Sequence, residues 1–265
     1  MDRPKQRARV LFLLDYGTQE ADVLTAVTAM TGQDRVEVQG LFVEDTDLLV
    51  AAARPGFVEV TIGSAGVTRM DQEHLHQALL QEAEQKQALF EHTARLNDLE
   101  HRFRILRGPT LETLARVAQP SDLVIVGRSQ RAGIRVRSGR QYETVVDENI
   151  DILFVNEPWA SGHSVVALVT DHFRRDELLK KAELIADDQG LALRVLVPAG
   201  LDVSDLTMSY SIIPVQALDA ETLTRICAAL DARLLVLSKR GVINWKAVLT
   251  GLLNGLSCSL LRIGV

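Results

Sequence analysis

Five arginines crowd one short stretch of an otherwise acidic chain: Arg128, Arg131, Arg135, Arg137 and Arg140 follow Gly127, with Gly133 and Gly139 among them, while the net charge is −6. Glycines let backbone amides approach an anion, and guanidinium groups meet its oxygens with fork geometry. The stretch is therefore suited to holding phosphate rather than to covalent chemistry. It follows Leu123-Val-Ile-Val126, an apolar run without alternation that reads as a buried parallel strand. Ligands of parallel α/β sheets collect at the carboxyl ends of such strands. A second candidate group, Asp15, stands with Tyr16 and Gly17 just after the run Val10 to Leu14. A carboxylate there could meet a ligand, or serve only the local turn.

The elements that must position these residues are legible as alternating apolar runs and amphipathic stretches. Strands are expected at 10–14, 36–43, 101–107, 123–126 and 151–156. Between the second and third, residues 48–70 are broken by Arg54-Pro-Gly56, Gly63 and Gly66 and read as an irregular excursion. From Asp71 to about Leu99 a long polar helix carries one apolar stripe, Leu75, Leu79, Ala83, Phe90 and Ala94. Shorter helices are expected at 21–30, after Thr110 and over 142–148. Such alternation is the pattern of a doubly wound parallel sheet.

Glu157-Pro-Trp-Ala-Ser-Gly-His163 breaks both periodicities, and a second copy begins beyond it: Val165 to Val169 with Asp171 repeats Val10 to Leu14 with Asp15. Strands at 192–197, 212–217, 233–238 and 259–264 follow, with helices at 178–186 and 220–230. Aligning Asp15 with Asp171 and Val126 with Leu237 leaves the second copy about 45 residues short, with no counterpart of the long helix. Its loop Lys239 to Trp245 keeps Gly241 and a Lys-Arg pair but no spaced glycine set.

Several classes of function are disfavoured. An acidic chain with one local arginine cluster lacks the basic face that nucleic-acid backbones require. The N-terminal apolar run is too short for a signal peptide or membrane span, so a cytoplasmic location is expected. Cys227 and Cys258 form no Cys-x-x-Cys pair and read as small core residues. His74 and His76 point to different sides of a helix and, with His92, read as solvated side chains rather than metal ligands.

A strand ending in Val126-Gly127, a glycine-containing loop, then a late glycine before a helix and a last hydrophobic strand resembles the universal stress protein family. Its nucleotide-binding members carry a Gly, two residues, a second Gly, nine residues, then Gly-Ser or Gly-Thr. Here Gln130 stands at the second glycine position, and Gly139 comes one residue early, followed by Arg140. The resemblance implies two doubly wound parallel five-stranded sheets, Rossmann-like, the second copy shortened. Residues 1–157 would form a domain with the nucleotide site and 164–265 a degenerate second domain. It further implies a regulatory stress-response protein that binds ATP or another adenine nucleotide, with or without Mg, and signals through protein partners. Asp15, Tyr16, Gly17, the Val43 backbone, Gly127, Arg128, Gly133, Gly139 and Arg140 would be the contacts. Terminal strands pair across dimers in that family, so a homodimer is expected, while 152–155 and 260–263 could also pair within one chain. The alternative is a nucleotide-free scaffold of the same fold. No nucleophile or base stands out, so an enzyme reading extends no further than slow ATP hydrolysis.

Overall fold

Uninterrupted apolar runs become strands buried on both faces. In the computed structural model these include β1 (Arg9–Leu14), β6 (Leu123–Arg128), β7 (Asp151–Asn156), β8 (Ser164–Leu168), β11 (Ala232–Ser238) and β12 (Ser259–Ile263). The structure describes residues 9–14, 20–31, 36–53, 58–61, 66–69, 72–119, 122–128, 150–156, 159, 161–206, 210–238 and 245–264. The remaining strands of the main sheet are β2 (Glu37–Asp45), β5 (Glu100–Gly108), β9 (Ala192–Pro198) and β10 (Ser211–Val215). The helix expected at 142–148 lies outside the described residues.

Strand order across the sheet is β10-β9-β8-β11-β12-β7-β6-β1-β2-β5. Each half thus contributes five parallel strands, with its first strand between its second and fourth. The sheets counted separately from sequence are one sheet here. They join where β12 pairs antiparallel with β7, Leu260 opposite Phe154 and Arg262 opposite Ile152. The connection from β9 to β10 spans residues 199–210 and holds no described helix, whereas the first half places the long α3 (Gln72–Leu96) between β2 and β5.

One apolar core runs along each face of this sheet and crosses the junction. On one face, α1 (Glu20–Thr31), α3 and α5 (Arg175–Asp188) cover Phe12, Ile125, Leu153, Leu261, Val236 and Ala167. The other face carries α4 (Thr110–Val117), α6 (Ala220–Ala229) and α7 (Trp245–Gly255) over Leu13, Val126, Phe154, Leu260 and Leu235. The α3 stripe expected from periodicity is buried at every position, with Phe90 packed between Phe12 and Phe103 at centroid distances of 6.2 and 6.0 Å. The excursion is more ordered than its composition suggested. It contains α2 (Thr46–Ala52) and an antiparallel hairpin of β3 (Val58–Thr61) and β4 (Gly66–Arg69). The short Val-Glu-Val-Thr and Gly-Val-Thr-Arg segments, 58–61 and 66–69, pair with each other.

Polar groups fasten the junction. Arg262, fully buried, donates from Nη2 to the Ile150 carbonyl at 2.6 Å, and the Gly264 amide donates to Asp151 Oδ1 at 2.8 Å. Lys181 forms an ion pair with Asp151. A Cβ on Gly264 would stand 2.3 Å from the Ile150 nitrogen, so only glycine permits this approach. In the linker, Gly162 adopts φ +92° against the Ala232 and Arg233 backbone, and its carbonyl accepts from Arg233 Nη2 at 2.9 Å. Cys227 and Cys258 are buried as expected, and they also touch. Hydrogen bonding with Cys258 and then burial push the Cys227 thiol up.

Candidate functional site

Three strand ends meet where the sheet changes direction. Strand β1 leads through α1 to β2 on one side, whereas β5 leads through α4 to β6 on the other, and a crevice opens at such a switch point. Leu13 is level with Leu41 on β2 and with Val126 on β6. Val43 therefore lies two rungs beyond that level and Gly127 one. At a strand spacing near 4.8 Å, they flank the end of β1 about 10 Å apart.

Val43 turns its side chain into the core, which leaves its backbone as the part that could face a ligand. The β1 ladder stops at the rung of Leu14 and Phe42, while β2 continues against β5 as far as Asp45. From Val43 onward β2 thus has no described ladder partner on the β1 side. The turn beyond is held by Asp45, whose Oδ1 accepts from the Asp47 amide at 2.9 Å and whose Oδ2 accepts from Thr110 Oγ1 at 3.1 Å.

Gly127 and Arg128 close β6, level with Val155 and Asn156 of β7. Asn156 is bound into the second half: its amide donates to Ser259 Oγ at 2.9 Å and its Nδ2 to the Ser257 carbonyl at 2.5 Å. Arg128 accordingly leaves the sheet beside the junction of the halves. The remaining sequence candidates, Asp15, Tyr16, Gly17, Gly133, Gly139 and Arg140, lie outside the described residues, as does the Arg128 side chain.

The base of the same strands is fixed by a part-buried ion pair. Arg9 meets Asp122 through Nε to Oδ1 at 3.0 Å and Nη2 to Oδ2 at 2.6 Å, and the Gln119 amide also donates to Oδ2 at 2.6 Å. The hydrogen bond to Asp122 raises the Arg9 pKa further above arginine's ordinary value. This clamp sets β1 against the entry to β6 at the end opposite the crevice.

In the second half, Asp171 follows β8 as Asp15 follows β1. Its Oδ1 accepts from the Phe173 amide at 2.9 Å, the local turn role that such an aspartate can serve. Loop residues 239–244 lie outside the described residues.

Sequence reasoning missed one feature. A cleft of about 290 Å³ opens between Leu49 of α2, Glu73 and His76 of α3, and Arg107 of β5. His74 and His92 are exposed, but His76 is only half-exposed, and its Nδ1 is enclosed without a hydrogen-bond partner. The reading of His76 as solvated is corrected: the N-terminal turns of α3 pack against α2 and the end of β5, which no local pattern announces. The one available signal was Glu73 and His76 at helical i,i+3 spacing. Among the described residues no group of His, Cys, Asp or Glu could hold a metal, and no helix is long and apolar enough to cross a membrane.

No protein-family model and no curated protein sequence matches the chain. Solved structures do. A universal stress protein from Archaeoglobus fulgidus is similar over 96% of this chain and 95% of its own, with a TM-score of 0.64 and 11% identity. A Pseudomonas aeruginosa protein provisionally named a universal stress protein covers 97% and 93%, with a TM-score of 0.59 and 13% identity. The cytoplasmic domain of a prokaryotic cation chloride cotransporter covers 97% and 95%, with a TM-score of 0.51 and 10% identity. At such identities the likeness is one of fold, and over nearly its whole length the chain has the universal stress protein fold.

Proposed function

We propose that the chain is a regulatory adenine-nucleotide-binding protein whose live site is the crevice of the first half. Residues 1–157 form the nucleotide-binding domain and 164–265 a domain that supports it. The observation that carries this reading is the convergence of Val43, Gly127 and the end of β1 at the switch point, with the β1 side of Val43 free of a described ladder partner. The Val43 backbone would meet the base, Asp15 with Tyr16 and Gly17 the nucleoside, and Gly127, Gly133 and Gly139 the phosphates through their amides. Arg128 and Arg140 would supply the charge, in place of the glycine and hydroxyl absent from the motif. The local use of Asp171 supports a single site per chain.

Mass spectrometry of ligand released from the purified, denatured protein, followed by ATP titration calorimetry, tests the proposal. Replacing Arg128 and Arg140 with Ala should weaken ATP binding by about 1.5 to 3 kcal/mol each, less than additively, and should leave adenosine binding unchanged. Asp15→Ala should weaken both. No released nucleotide and no ATP binding at millimolar concentration, with the fold intact, would refute it.

The second reading is a nucleotide-free scaffold. It is favoured by a similar fold appearing, over 97% of this chain, in the cytoplasmic domain of a transporter. Protein contacts are the output in either reading. Because β7 and β12 already pair within the chain, a homo-oligomer would have to use helix faces or the outer strands β5 and β10. Light scattering across a concentration series tests self-association.

A further inference from the structure

The cleft beside α3 uses none of the residues assigned to the nucleotide. Its walls carry opposite charges: Glu73 stands on the α3 side and Arg107 on the β5 side, with His76 one helical turn beyond Glu73 and Leu49 as the apolar wall. Two such side chains would ordinarily pair, as Arg102 on the same strand does with Glu37 at 2.9 Å. Arg107 and Glu73 instead have no ion-pair or hydrogen-bond partner among the described residues. The enclosed Nδ1 of His76 has none either. Glu44 is level with Arg107 on the neighbouring strand, so both side chains share one face of the sheet, and Glu44 is only 7% exposed. It too lacks a partner among the described residues.

The enclosed Nδ1 of His76 costs free energy unless it is hydrogen-bonded, and beside it the exposed charges of Glu73 and Arg107, unpaired among the described residues, are placed to meet a ligand that also satisfies the ring. A simple anion would meet Arg107 but also Glu73 and the neighbouring Glu44. A simple cation would meet Glu73 but also Arg107. We propose that the cleft binds a small zwitterion of amino-acid size, its carboxylate on Arg107, its ammonium group on Glu73, and its side chain against Leu49. His76 supplies a further hydrogen bond to the ligand. The volume of about 290 Å³ lies at the small end of ligand sites and suits an amino acid. The cleft sits at the carboxyl end of the sheet, as ligand sites in parallel α/β folds do.

The test uses the full chain, thermal-shift screening against the common amino acids at millimolar concentration, and calorimetry on those that stabilise it. Acetate and ethylammonium serve as half-ligands. At least one amino acid should bind, and neither half-ligand should match it. Arg107→Gln and Glu73→Gln should each weaken that binding about tenfold or more. Arg104→Gln, on the same exposed strand but outside the cleft, should not change it. All three positions are exposed, and unchanged circular dichroism will verify the fold. Failure of every amino acid to bind, binding that survives both substitutions, or equal binding of acetate alone would overturn the proposal. ATP titration of Arg107→Gln keeps the two sites distinct: loss of amino-acid binding with ATP affinity unchanged marks this cleft, whatever the fate of the nucleotide reading.

Discussion

Removing Asp122 should show how strongly the Arg9 clamp holds β1 against β6. Its side chain is 1% exposed and that of Arg9 is 24% exposed, so Asp122→Ala leaves a largely desolvated guanidinium with, among the described residues, the Val117 carbonyl at 3.3 Å as its one remaining acceptor. The Gln119 amide loses its acceptor in the same step. Breaking a buried pair from one side costs about 3 to 5 kcal/mol. Because Arg9 keeps some contact with water, about 2 to 4 kcal/mol is expected here. In a chain of this size that corresponds to a Tm roughly 4 to 15 °C lower. Urea unfolding followed by far-ultraviolet circular dichroism measures it through Cm at unchanged m. The double variant Arg9→Met with Asp122→Asn should recover most of the loss, since it removes both charges, keeps volume and leaves an amide oxygen to accept from Gln119. The Arg9 pKa is raised by the pair, so its contribution is fully present below arginine's ordinary value and is lost only as pH rises through the folded one. Arg9 therefore adds no pH dependence near neutrality. A cost below about 1 kcal/mol for Asp122→Ala, or no recovery in the double variant, would refute the assignment of this pair as a part-buried clamp.

Three further outcomes follow from the geometry. Gly264→Ala should force the β7–β12 junction apart, because its Cβ would stand 2.3 Å from the Ile150 nitrogen. A loss of about 1 to 3 kcal/mol in urea unfolding, with increased amide exchange at residues 150–154, is expected. The Cys227 thiol, pushed up by its hydrogen bond with Cys258 and by burial, should not react with a thiol reagent at mildly alkaline pH until the chain unfolds. Fast labelling of the folded protein would contradict the packing. Asp219 caps α6 by accepting from the Thr222 amide at 2.9 Å, and this bond holds its carboxyl below the usual range. Its stabilisation is present above the ordinary carboxylate value and lost as pH falls through the lowered one, so the Tm gap between wild type and Asp219→Ala should close in acid.

Local pattern was enough to read the strands of the main sheet and the stripe of the long helix, but not the hairpin of β3 and β4. Leu123 to Val126, Ile152 to Val155 and Val165 to Val169 are apolar without alternation because both faces of their strands are covered, and burial on that scale leaves a local signature. Leu75, Leu79, Ala83, Phe90 and Ala94 repeat because one side of α3 meets the sheet. A doubly wound sheet was expected from the alternation of elements, but the order of its strands, and with it the placing of Val43 and Gly127 on either side of β1, is seen only in the tertiary structure. Local pattern did not decide which surfaces far apart in the chain would touch. Whether Ile152 and Arg262 would pair, and so make one sheet of two, depends on edge complementarity between strands more than a hundred residues apart. The enclosure of His76, the contact of Cys227 with Cys258, and the binding of Asp45 by Thr110 are of the same kind. Each depends on how finished elements pack, and side-chain period along one element carries no record of what a second element brings to it.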